Sequence, residues 1–112
     1  EINRTGEFSV HARDYSGQCG RLVQTIARYT VTVKGYRVNA QGFLMDNNDI
    51  PSYFKRYRRA KVFPPCERSA AMAVKHFLDH CRETGAEPTY IKVGVSVIES
   101  SLISAEWRLV SS

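Results

Sequence analysis

Cys19 stands between Gly17 and Gly20 and beside Arg21. A neighbouring cation favours the thiolate and the glycines let a substrate approach, so Cys19 is a candidate nucleophile. The plain alternative is an inert loop cysteine. Glu106, within Ala105-Glu106-Trp107-Arg108-Leu109-Val110, is a second candidate. On a strand it shares a face with Arg108 and not with Trp107. A carboxylate so placed can accept two parallel hydrogen bonds from the edge of an aminopyrimidine; it can equally pair with a basic neighbour on the sheet. Glu99, at a strand end where charges are common, is a lesser candidate of the same kind.

Two further groups invite chemistry. His76 and His80 lie four residues apart beside Cys81, a helical spacing that can hold a metal, but no third or fourth ligand is evident nearby and both flank an apolar stripe. Lys55, Arg56, Arg58, Arg59 and Lys61 form the basic cluster, interleaved with Tyr53, Phe54 and Tyr57. Cations with aromatics can grip a nucleic-acid backbone and stack bases; the same pattern suits a short helix with buried rings and solvated charges, and this is the preferred reading. There is no Gly-rich phosphate loop, no Cys-x-x-Cys pair and no Gly-x-Ser-x-Gly elbow, so nothing points to a dinucleotide or ATP.

These groups must be positioned by a single domain spanning residues 1–112, long enough to bury one core without staples. Hydrophobic content of 43% and charged content of 24% are those of a soluble globular chain. Sixteen basic residues against eleven acidic ones favour anionic partners mildly. Three cysteines without close pairing argue against a disulfide framework and for a reduced, cytoplasmic setting. No apolar run is long enough to span a bilayer and no charged-then-apolar leader is read at the start, so no membrane partner is expected.

Along the chain, Phe8, Val10 and Ala12 alternate in a first strand over residues 7–12. Ala27, Tyr29, Val31 and Val33 define the buried face of a second, over residues 26–38. Asp49 caps a short helix that has Pro51 in its first turn and is stopped by Phe63-Pro64-Pro65. A stronger helix begins near Glu67, with Ala70, Ala73, Val74, Phe77, Leu78 and Cys81 as its apolar stripe and Gly85 as its stop. Ile91, Val93, Val95 and Val97 form a third strand, and residues 105–110 a fourth. The order ββααββ predicts an α+β domain: a four-stranded antiparallel sheet with two helices on one face.

With these residues laid out, the chain resembles the 6-pyruvoyltetrahydropterin synthase and 6-carboxytetrahydropterin synthase family, whose fold is the tunnelling fold, or T-fold. The family's first motif reads approximately Cys-x-Arg-Leu-His-Gly-His-x-Tyr-x-Val-x-Val-x-Val. Cys19-Gly20-Arg21-Leu22 and the strand after it match in register. Met45-Asp46 with Asp49-Ile50 looks like Met-Asp-x-x-Asp-Leu, and Pro65 with the helix after it is similar to the Pro-Thr-x-Glu-Asn helix start, although the polar residues there match poorly. Val97-Ile98-Glu99 through Ala105-Glu106-Trp107 looks like Glu-Thr-Pro-Thr-x-x-Ala-Glu-Tyr, with both glutamates at the family spacing.

The resemblance implies a homo-oligomer with ligand sites between subunits, Glu106 and Glu99 as heterocycle-binding residues, and Cys19 as the catalytic residue of a carbon–oxygen lyase-like reaction. The departures limit this. Family members hold zinc with three histidines, and the equivalent positions are Ala12, Val23 and Thr25. Alanine and valine offer no lone pair, so no zinc and no other cofactor is expected. His11 is one residue from the needed position and falls on the opposite face of its strand. The family's Asp-His pair would fall before Pro65, in a segment that holds no histidine. Zinc acts as a Lewis acid in this chemistry, and without it the reaction loses its main electrostatic support. The expectation is therefore a zinc-independent, pterin- or purine-binding relative with altered, weak or absent lyase activity, a pseudoenzyme in the last case. The alternatives are a non-catalytic scaffold or partner subunit and, less favoured, a nucleic-acid binder.

Overall fold

The computed structural model describes residues 1–14, 21–37, 42, 44–97 and 102–109. Period-two alternation becomes four strands, β1 (Ile2–Asp14), β2 (Arg21–Arg37), β3 (Glu87–Val97) and β4 (Ile103–Arg108). They form one antiparallel sheet in the order β1-β2-β3-β4. Three strands, β1, β2 and β3, are longer than their apolar alternation suggests. β1 begins five residues before Glu7, pairing Ile2 with Val33, because β2 offers a partner along its whole length. β2 likewise begins at Arg21 rather than Ile26.

The expected order ββααββ is corrected to ββαββ, with every described helical segment between strands two and three. The connection contains one helix long enough to lie along the sheet, α2 (Cys66–Glu83). The first expected helix shrinks to α1 (Asp49–Phe54), which runs directly into a 3₁₀ turn (Lys55–Arg59). Asn48, not Asp49, is the N-cap, and its side chain makes no capping hydrogen bond. Tyr53, Phe54 and Tyr57 are all drawn into the core, which tightens the winding beyond Phe54. The T-fold arrangement of two helices side by side goes with that correction; the α+β class and the four-stranded antiparallel sheet stand.

α2 lies against β3 and β4, while α1 and the 3₁₀ turn sit on β1. Its buried stripe is the expected one, with Ser69 added and Leu78 only half-buried. Ser69 tolerates burial because its hydroxyl donates to the Cys66 carbonyl at 3.2 Å. Gly85 ends the helix with φ +92°, the left-handed conformation glycine adopts freely. Under β1 and β2 the core is aromatic: Phe54 stacks on Tyr29 at 4.2 Å and on Phe8 at 5.3 Å, and Phe63 meets Tyr57 edge-on at 4.9 Å. No described helix lies on the opposite sheet face. Among the described residues no helix is long and apolar enough to cross a membrane.

Candidate functional site

Cys19 and Glu99 lie outside the described residues. Glu106 stands in the middle of β4, paired with Lys92 of β3, on the helix-free face. The Tyr90 hydroxyl donates to its Oε2 at 3.0 Å and Arg108 Nε donates to its Oε1 at 3.3 Å. Tyr90 is fixed in turn, with Lys34 Nζ 5.5 Å and Arg108 Cζ 4.8 Å from its ring centre. Lys34 continues the row to β1 through Glu1, 3.6 Å away. The result is a polar row from β4 across β3 and β2 to Glu1, just before β1, with a half-exposed carboxylate at its β4 end.

The Tyr90 hydroxyl bond, and then that of Arg108, hold the Glu106 carboxyl below the usual glutamate range. Folding therefore favours its ionised form. The associated stabilisation is present above the unfolded glutamate's titration and is lost as pH falls through the lower folded value. An NMR titration of the side-chain carboxyl carbon is expected to show a midpoint below that of an ordinary glutamate, moving upward in Tyr90→Phe. An unchanged midpoint in that variant would show that the phenol does not hold the carboxylate.

The three positions that the resemblance gives to zinc ligands come together. Ala12 is directly opposite Val23, and Thr25, two residues further on and opposite Val10, shares their face. A methyl group, an isopropyl group and one hydroxyl do not supply the imidazole or thiolate donors zinc requires, so these residues do not fit the metal. Among the described residues no group of three or more His, Cys, Asp and Glu side chains is arranged to hold a metal ion. His11 is exposed on the helix-free face, opposite Ala12 in direction.

His80 is tied elsewhere: its Nε2 lies 2.8 Å from Asp49 Oδ2, joining α2 to the start of α1. His76 stacks parallel to His80 at 6.2 Å and packs on Tyr53 at 4.5 Å, with Arg56 on the same ring at 4.0 Å. Burial, followed by the Arg56 and His80 charges, lowers the His76 pKa. The pair is a seam between helices. Cys81 is fully buried, and burial with the nearby Asp49 charge pushes its thiol up to about 11. Burial and Glu67 likewise raise Cys66, so neither described thiol is an activated nucleophile.

The basic cluster divides as a solvated face does. Tyr53, Phe54 and Tyr57 are buried, whereas Lys55, Arg56, Arg58, Arg59 and Lys61 are exposed. The rings are thus not available to stack bases.

Glu106 lines neither of two open clefts found among the described residues. One of about 820 Å³ lies between the start of β1 and residues 44–48. The other, about 490 Å³, is bounded by Ala12 and Arg13 of β1, by residues 62–66, and by Arg68 and Val97. Sequence reasoning missed this second cleft and also Tyr90. The sole local signal for Tyr90 was its place two residues before Lys92 on the strand beside Glu106. Compared with protein-family models and with curated proteins, the chain matches none.

Proposed function

We propose that this chain is a divergent, zinc-independent relative of the 6-pyruvoyltetrahydropterin synthase family that binds a pterin- or purine-like heterocycle through Glu106. Any lyase chemistry at Cys19 then proceeds without a metal. The observation that carries the reading is the state of Glu106: ionised, 46% exposed, and oriented by one donor on each oxygen. A carboxylate has about four acceptor sites, so both oxygens keep capacity for the two parallel N–H donors of an aminopyrimidine edge.

A flat sheet face provides no walls, and we place those on a second copy of the chain. Leu22 and Ile26, on one face of β2, are 45% and 52% exposed. Exposed apolar side chains on one face gain stability from being covered. The free thiols of Cys66 and Cys81 fit a reducing cytoplasm.

Calorimetry with pterin, neopterin and guanine tests the reading. The wild type is expected to bind at least one, and Glu106→Gln to weaken it by roughly 10- to 100-fold, the worth of a lost charge-assisted bond. Equal binding by the variant, or no heat from any ligand, overturns it. The second reading, a non-catalytic scaffold or partner subunit, is favoured by the apolar Ala12 and Val23 at the zinc positions. A stable assembly by sedimentation with no heat from any ligand would select it.

A further inference from the structure

We infer that the 3₁₀ turn over Lys55–Arg59, with Lys61 just after it, is a docking surface for the phosphate backbone of double-stranded nucleic acid. A 3₁₀ segment has three residues per turn, so its side chains stand in three columns with residues three apart eclipsed. Phe54 and Tyr57 form one column, buried and stacked on Phe8 at 5.3 and 5.9 Å. The other two columns hold only cations: Lys55 with Arg58, and Arg56 with Arg59, all exposed. At about 2 Å of rise per residue, the cations of one column are rooted roughly 6 Å apart. Two parallel rows of fixed positive charge result.

Residues 50–66 contain no Asp or Glu. On the sheet, Arg28, Lys34 and Arg108 each have a carboxylate, at 3.1, 3.6 and 3.3 Å. Among the described residues no carboxylate pairs with any of the five cations of the turn. The surface is also preorganised. Arg56 Nε donates to the Tyr53 carbonyl at 3.1 Å and its guanidinium lies 4.0 Å from the Tyr53 ring centre, which leaves the outer N–H groups of the fork free. After burial, the Arg56 charge is the next cause of the lowered His76 pKa, so the field of the turn reaches α2.

Charge density and the buried rings select the occupant. A duplex carries about one negative charge per 1.7 Å of its axis, and cations that replace its counterions gain affinity without reading sequence. Guanidinium forks suit phosphate oxygens. Single strands are held largely by stacking on aromatic rings, and the rings interleaved here are buried. The same burial denies the turn an aromatic anchor in an anionic bilayer. The surface is independent of the Glu106 reading, because the turn packs on the core side of β1 and Glu106 lies on the helix-free face.

Fluorescence anisotropy with a short, mixed-sequence DNA duplex tests it. Four phosphate contacts predict an affinity that falls roughly 100-fold between about 50 and 200 mM salt. Arg58→Ala/Arg59→Ala should weaken binding by roughly tenfold at the lower salt and reduce the fall over that range to roughly tenfold. Arg28→Ala/Lys75→Ala removes the same net charge from β2 and α2 and should bind as the wild type does. All four side chains are exposed, and unchanged circular dichroism spectra check that both variants keep the fold. A second duplex of unrelated sequence should bind equally well, and a single strand more weakly. No duplex binding at the lower salt, an unaffected Arg58→Ala/Arg59→Ala, or an equal loss in the control pair overturns the proposal. So does tighter binding of the single strand, or binding to phosphatidylserine vesicles alone.

Discussion

Phe54→Ala is expected to lower the stability of the fold by about 3–5 kcal/mol, the usual cost of removing a buried aromatic ring. The residue is 1% exposed, and its ring touches two strands and α2. It lies flat on Tyr29 of β2 at 4.2 Å, stacks on Phe8 of β1 at 5.3 Å, and meets Phe77 of α2 at 6.3 Å. Neighbours drawn from two strands and α2 cannot all collapse into one void, so the loss of contacts adds to the lost burial. Against a typical domain stability of about 5–15 kcal/mol this is a large fraction. Urea unfolding should show a lower midpoint with an unchanged slope. Met72→Ala, at a 48% exposed position, is the control and should shift stability by no more than about 0.5 kcal/mol. A Phe54→Ala loss as small as the control's would mean that the ring does not bridge these elements.

Gly6→Val should destabilise by about 1–3 kcal/mol, although local rules say the opposite. Glycine weakens a strand interior and valine suits one, so the substitution looks favourable on propensity alone. Gly6 is paired with Tyr29, however, and the Tyr29 ring folds over it. A Cβ at Gly6 would lie 2.5 Å from Tyr29 Cζ and 2.8 Å from Cε1. The ring cannot retreat, because Phe54 is stacked on it at 4.2 Å. The two substitutions should therefore couple. In a Phe54→Ala background Tyr29 has space to move, and the Gly6→Val penalty should fall by more than about 0.5 kcal/mol. A Gly6→Val protein more stable than the wild type would refute the clash, and additive penalties would refute the link through Tyr29.

These two cases show where the sequence was readable. Spacing alone assigns Ala27, Tyr29, Val31 and Val33 to the core, with the α2 stripe of Ala70, Ala73, Val74, Phe77, Leu78 and Cys81, and all but the half-buried Leu78 are buried. Glu106 and Arg108 were placed on one face by the same rule, and they are hydrogen-bonded there. The first helix was misjudged because its length is set by three rings competing for one core, not by its caps. The cleft beside Ala12 has no local signature: it forms where residue 63 bonds to residue 11.

By itself, the sequence determined which side of each strand and of α2 is buried. A backbone that repeats every two or 3.6 residues turns spacing directly into direction, and burial of the apolar side follows. The tertiary structure alone decided what each side chain meets: Tyr90 at Glu106, Tyr29 over Gly6, Asp49 at His80, and Ala12 in a cleft with Phe63. Those encounters join residues 16 to 51 positions apart, as from Tyr90 to Glu106 and from Ala12 to Phe63. Chain closure and packing set them, and neither leaves a periodic trace in the residues concerned.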